Sequence, residues 1–225
     1  MTERIDLEWS PPGPLSAKFM ASSKRVQILN GPVGSGKTTT NFMKHIQLAQ
    51  RQRPSKIATI RLKGESAPRP LRKYKLTVVR DDYRQLWRAT IPSWNARFPR
   101  TFGKWAGAIN APAMHELTFA LGDGTAVEFI AEFVAIGDND IEEFMRGYEP
   151  TAFYLEEIDL SAREVLQQAR FRWGRYPRME EGGPSWFGAT ASCNAPIIDG
   201  WLYNDIFVNT PEDVDLVRLP GAFDA

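Results

Sequence analysis

Gly31-Pro32-Val33-Gly34-Ser35-Gly36-Lys37-Thr38 is the stretch on which the reading of this chain turns. It fits the pattern G-x-x-x-x-G-K-[ST] and sits where that pattern has physical meaning, between a strand and a helix. Upstream, Val26, Ile28 and Leu29 form a short apolar run; downstream, Lys37 to about Arg53 reads as a helix stopped by Pro54. The glycines let the backbone bend so that its N–H groups and the helix N-terminus face phosphate oxygens. Lys37 then neutralises the β and γ phosphates and Thr38 holds Mg²⁺, so the segment predicts ATP with Mg²⁺ bound along residues 31–38, with Thr39 as the next member of the cradle.

A phosphate cradle needs a second acidic group for the metal, and hydrolysis needs a carboxylate to orient or deprotonate water. Thr151 to Leu155 is a short apolar strand that ends in Glu156-Glu157. Side chains alternate along a strand, so adjacent carboxylates share one site only where the strand ends and the chain turns. Glu156 is assigned to the metal through water, and Glu157 to the attacking water. Two other readings stay open: both glutamates are exposed helix-entry acids, or the register shifts to put Glu157 on the metal and Asp159 on the water.

Outside these motifs the chain reads as an α/β protein. Its 225 residues suffice for one well-buried domain, and 43% apolar with 24% charged residues is ordinary for a globular protein. Residues 1–24, with Pro11, Pro12 and Pro14, predict an extended arm; residues 25–220 form the domain and 221–225 a tail. Leu76 to Val79 is a second buried strand, and Asp81 to about Ile91 a helix broken by Pro92. His115 to Leu121 and Thr125 to Val134 flank Gly122-Asp123-Gly124 as an inserted hairpin. Ser161-Ala162-Arg163-Glu164 is a capping box opening a helix to about Phe171, and Trp186 to Ala191 and Val214 to Leu219 are further strands. Strands alternating with helices predict a three-layer sandwich on a mainly parallel sheet.

The net charge of +1 names no polyanionic partner by itself. Its distribution is uneven: Arg53, Lys56, Arg61, Lys63, Arg69, Arg72, Lys73 and Lys75 face only Glu65 in residues 51–80, of which 61–75, with Gly64, Pro68 and Pro70, read as an exposed, mobile loop, whereas residues 128–157 are acidic. That asymmetry fits one face for a polyanion and another for metal or subunit contacts, or else a solvated loop. One cysteine, Cys193, forms no intramolecular disulfide, and no apolar run approaches a membrane span, so the expectation is a soluble, cytoplasmic protein. Cys193, His45 and His115 lack metal-ligand spacing. Trp87, Trp94 and Trp105 either pack in the core or stack on bases.

Five segments, taken in order, resemble the ATPase half of the large terminase subunit, the motor that packs double-stranded viral DNA into capsids. They are the phosphate loop, Val78-Val79-Arg80-Asp81-Asp82-Tyr83-Arg84-Gln85-Leu86-Trp87, Arg146-Gly147, Phe153-Tyr154-Leu155-Glu156-Glu157, and Thr190-Ala191-Ser192-Cys193-Asn194-Ala195-Pro196. The resemblance implies a P-loop NTPase of the RecA/ASCE type that hydrolyses ATP to drive DNA in an infected bacterial cell. It implies a homo-oligomeric ring, with the isolated domain able to be monomeric, working with a portal protein and a small terminase subunit at the procapsid. By the same resemblance Arg146 is an arginine finger acting on a neighbour's nucleotide, and Thr190 and Asn194 form the coupling motif that senses the γ-phosphate. Read without it, Arg146 is a surface residue and Asn194-Ala195-Pro196 a turn. The family's adenine-reading glutamine has no counterpart around Ala17 and Lys18, and its RNase H-like nuclease is expected to be missing after Pro220-Gly221. Two further enzyme or switch classes are a small-molecule P-loop kinase and a nucleotide-switched binding module; no Asn-Lys-x-Asp guanine motif is present.

Overall fold

A computed structural model describes residues 8–222. The chain enters through α1 (Pro14–Ala21) and β1 (Val26–Asn30), turns through the phosphate loop into α2 (Lys37–Gln50), and passes a short β2 (Thr59–Ile60) into the long β3 (Arg69–Arg80). A helical segment follows: α3 (Tyr83–Gln85), a π turn at Leu86–Thr90, and α4 (Ile91–Asn95). Then come β4 (Lys104–Gly107), β5 (Ala113–Ala120), β6 (Ala126–Ala135), α5 (Ile141–Arg146), β7 (Ala152–Leu155), α6 (Arg163–Arg172), β8 (Gly188–Cys193) and β9 (Val214–Arg218).

All nine strands join one sheet in the order β4-β5-β6-β3-β7-β8-β1-β9, with β2 paired to β3. The central pairings are parallel, and β4 and β5 extend the edge antiparallel. The expected hairpin is therefore part of the main sheet, because β6 pairs in parallel with β3 over ten residues.

Alternation along the strands sorts the core onto two faces. On one, Tyr74, Val78, Phe129, Phe133 and Tyr154 pack against Phe42 and Ile46 of α2 and Trp94 of α4. The rings meet edge to face, Phe42 lying 5.1 Å from Trp94 and 5.5 Å from Tyr154. Removing such a buried ring typically costs about 3–5 kcal/mol. On the other face, Ile28, Val79, Phe153, Leu155 and Ala191 pack against Val165 and Ala169 of α6. This is a three-layer α/β sandwich, with both faces of a mainly parallel sheet covered.

Four local expectations change. The arm is not extended throughout: Pro14 occupies a first-turn position of α1, where its missing N–H is no loss, and Phe19 is buried against Leu29 and Val217. Residues 1–7 of that arm and 223–225 of the tail lie outside the described residues. The end of α1 is tied to α2 by Lys44, whose fully buried ammonium donates to the carbonyls of Phe19, Met20 and Ser22 at 3.1, 2.8 and 2.6 Å. Burial pushes its pKa down to about 8.

Pro92 does not stop the helix after Asp81; the π turn before it relieves the register, and Pro92 falls in the first turn of α4. Ser161 makes no capping bond, since α6 starts from Ala162 with no side-chain cap. The basic loop is also shorter than expected, because Arg69 to Lys75 belong to β3. Their charges are matched at home: Arg72 meets Asp123 at 2.6 Å, Lys73 meets Glu181 at 2.6 Å and Glu128 at 3.6 Å, and Lys75 meets Glu132 at 3.2 Å. Parallel pairing places Lys73 opposite Glu128, so much of the charge asymmetry in the sequence cancels between neighbouring strands.

Candidate functional site

At the carboxyl ends of β1, β7 and β8 the phosphate loop and the two glutamates line one cleft of about 300 Å³. The loop is formed by geometry that only glycine takes without strain: Gly34 and Gly36 have φ of 80° and 82°. Gly36 precedes α2 and offers no side-chain cap, and no acid stands in the first turn, so the helix presents its leading N–H groups to the cleft. Val33, Gly34, Ser35, Gly36, Lys37, Thr38 and Thr39 all line it. Gly31 and Pro32 contribute from behind, their carbonyls accepting from the Lys37 ammonium at 2.7 and 2.8 Å.

Lys37 also donates to Asn194 Oδ1 at 3.0 Å, which brings the last predicted segment to the loop. Burial lowers the pKa of Lys37, while nearby Asp159, Glu157 and Glu156 act to raise it.

Glu156 is positioned by sheet pairing carried to the end of β7, where its N–H donates to the carbonyl of Val79 at 3.0 Å. Its carboxylate is buried and accepts from the Thr38 hydroxyl at 2.8 Å, so the hydroxyl and carboxylate that suit a hydrated divalent cation are already side by side. The chain then turns sharply: Glu157 has φ 54°, the left-handed region that non-glycine residues seldom enter. That turn is what lets two neighbouring side chains share one cleft. Asp159 does not line the cleft but lies close behind it, accepting from the N–H of Asn194 at 3.2 Å, with its pKa raised chiefly by burial. Glu156, bonded to Thr38, and Glu157, paired with Arg80, are thus the acids that line the cleft, and neither is a free helix-entry acid.

Arg80, at the end of β3, is the residue that sequence reading left without a role. Its guanidinium lies 3.2 Å from Glu156 and 2.5 Å from Glu157. It also donates to Thr90 at 3.0 Å and Gln85 at 2.9 Å, and Thr90 in turn donates to Glu156. Arg80 stood in a quoted segment, but only the pairing of β3 with β7 reveals what it touches.

Two predicted residues lie apart from the cleft. Thr190 is fully buried under α2, where its hydroxyl meets His45 Nε2 at 2.9 Å while His45 Nδ1 meets Tyr74 at 2.7 Å. Ser192, one alternation further along β8, lines the cleft instead and accepts from the N–H of Glu157 at 3.4 Å. Arg146 ends α5 on the surface, 61% exposed and ion-paired to Glu142.

The other singled-out residues are structural. His115 sits between Trp94 Nε1 and the Phe102 carbonyl, at 2.9 and 2.6 Å. Cys193 is buried, which pushes its thiol up to about 12. Among the described residues, no helix is long and apolar enough to cross a membrane.

No protein-family model matches the sequence, nor does any curated protein. Solved structures do match. The large terminase of the thermophilic bacteriophage D6E superposes with a TM-score of 0.58 at 13% identity, over 91% of this chain and 44% of that one. The same terminase in complex with ADP gives 0.55, also at 13% identity and over 91% and 44% of the two chains. The large terminase ATPase domain of Thermus phage P74-26 gives 0.53 at 12% identity, over 92% of this chain and 80% of that domain. This chain thus spans less than half of the D6E terminase and most of the P74-26 ATPase domain. The chain has the fold of the ATPase domains of phage large terminases.

Proposed function

We propose that this chain is an ATP-hydrolysing motor domain of the large-terminase kind, which uses the hydrolysis to move double-stranded DNA into a viral procapsid in the host cytoplasm. The observation that carries the reading is the bond from the Thr38 hydroxyl to Glu156, with Glu157 beside it in the same cleft as the phosphate loop. That donor set fits a nucleotide triphosphate and a hard divalent cation: uncapped helix N–H groups and Lys37 for the phosphates, and Thr38 with Glu156 for Mg²⁺. Mg²⁺, when bound, supplies charge neutralisation at the phosphate oxygens.

Glu157, 30% exposed and facing the cleft, is the base that orients water. Asn194, through its bond to Lys37, senses the phosphate that Lys37 holds. Arg146 lies outside its own cleft and acts as the finger in a neighbouring subunit's site, which makes a homo-oligomeric ring the working form. Portal protein and small terminase subunit are the partners this reading implies.

The test is binding of a fluorescent ATP analogue together with phosphate release, measured over a range of protein concentrations. Lys37→Ala should lose binding, whereas Glu157→Gln should bind normally and release phosphate at least about 100-fold more slowly. Undiminished hydrolysis by Glu157→Gln would remove the catalyst from this reading, and transfer of the phosphoryl group to a small acceptor would make the protein a kinase.

A further inference from the structure

Between Asp82 and Glu116 the sequence has no acidic residue, yet it carries Arg84, Arg88, Arg97, Arg100 and Lys104. All five are exposed. Among the described residues only Lys104 has a carboxylate partner, Glu116 at 3.6 Å, and that lysine side chain remains 86% exposed. Arg69, Arg72, Lys73 and Lys75 are the opposite case, each tied to an acid within 3.2 Å. The strand half of the basic cluster legible in the sequence is thus internally neutralised, whereas Arg53, Lys56, Arg61 and Lys63 stay exposed with no carboxylate partner among the described residues, and a second cluster also faces solvent.

This second cluster is organised. Arg84 and Arg88 stand about one turn apart on the helical segment. Arg100 is folded back onto it, its guanidinium carbon 5.5 Å from the ring of Trp87 and 4.4 Å from Trp105. The two indoles meet edge to face at 6.3 Å and bracket the guanidinium without cancelling its charge. Lys104 adjoins Trp105. We infer that this surface grips the phosphate backbone of duplex DNA.

A small anion would need an enclosed site, whereas exposed cations spread along one segment suit a polymer of regularly spaced phosphates. Single strands need free aromatic faces on which bases stack. Here Trp87 and Trp105 are half-buried and covered by Arg100 and by each other, and Trp94 is wholly buried, so the duplex is favoured.

The same segment has a second side. Its inner residues Leu86, Ile91 and Trp94 are core, Thr90 donates to Glu156, Gln85 accepts from Arg80, and Ser93 lines the cleft. One stretch of chain thus carries the DNA-facing cations outside and touches Glu156 and Arg80 inside, with the π turn among its residues. For its link to hydrolysis this inference rests on the motor reading above; the DNA contact itself needs no nucleotide.

The experiment measures anisotropy of a labelled duplex of arbitrary sequence against the full chain, as a function of salt and without ATP. Fluorescent-ATP binding is followed on the same samples. The combined Arg84→Gln, Arg88→Gln and Lys104→Gln variant should bind nucleotide as the parent does but lose roughly three from the slope of log affinity against log salt. Each single variant should lose about one, which keeps the test readable if the triple variant fails to fold. The inference is overturned by an unchanged slope, by absence of duplex binding at low salt in the parent, or by tighter binding of single strands than of duplex. Failure of nucleotide binding in the parent would instead overturn the motor reading and leave the duplex measurement intact.

Discussion

Arg80 joins two carboxylates that are neighbours in sequence, its Nη1 lying 3.2 Å from Glu156 and its Nη2 2.5 Å from Glu157. The planar fork of a guanidinium serves both at once, which an ammonium does not. Glu156 and Arg80 are each almost entirely buried, with 5% and 6% of the side chain exposed.

Arg80→Ala should accordingly cost about 3–5 kcal/mol, the usual consequence of stranding one member of a buried ion pair. Urea unfolding measures it, and Arg80→Lys should fall between the two. A loss below about 1 kcal/mol would mean that Thr38 and Thr90 alone suffice to hold Glu156.

Glu157 separates chemistry from strain. Its φ of 54° is a left-handed conformation, and its side chain is the one proposed above to orient water. Glu157→Ala and Glu157→Gly remove the same carboxylate, so both should stop hydrolysis. Glycine takes the turn freely, however, and should leave the protein roughly 0.5–1 kcal/mol more stable than alanine does, after its own unfolded-state entropy is counted. Equal stabilities would mean the turn relaxes when the side chain is shortened.

His45 sets a pH window. Burial pushes its pKa from 6.5 to about 3, with the Lys44 charge acting in the same direction. The unfolded chain therefore binds a proton that the folded chain refuses between those two values, and stability falls as the pH drops from 6.5 toward 3. Other groups titrate there too, so the measurement is the difference in melting temperature between parent and His45→Gln across that window. The parent should show the steeper decline; parallel curves would contradict a neutral, buried imidazole.

Arg72 and Lys73 should behave as structural residues. Arg72 donates to Thr125 at 3.0 Å, to the Gln52 carbonyl and to Asp123, holding the β5–β6 turn against the end of α2. Arg72→Ala should cost roughly 1–3 kcal/mol by thermal or chemical unfolding. Its effect on the salt dependence of duplex binding should be negligible, and a large change there would restore this strand as a DNA contact.

The parts legible in the sequence are those whose meaning is local. The phosphate loop needs only its own glycines and the helix behind it, and the acidic pair needs only a strand that ends. Arg80 is different, because nothing near it explains it; its partners lie on a strand that is adjacent only through the parallel pairing of Val79 with Leu155. Thr190 and Ser192 point to the same face of β8, and no sequence signal tells which one is level with the cleft. The register answers it: Leu155 stands opposite Ala191, so the turn at Glu156 and Glu157 meets Ser192, while Thr190 lies one pleat deeper. Pro14 was equally ambiguous, since proline suits both an extended chain and the first turn of a helix.

The anchoring of Lys44 bears on where the independent folding unit begins. Glycine-loop proteins invite trimming back to their first strand, here Val26. In this molecule such an excision would delete the three carbonyls that solvate an ammonium lying beneath the surface. The polypeptide would then have to hydrate that charge by opening the packing of α2, the helix that carries the phosphate-binding end. The footing of the phosphate loop is thus set in part by residues 14–22, none of which lines the cleft.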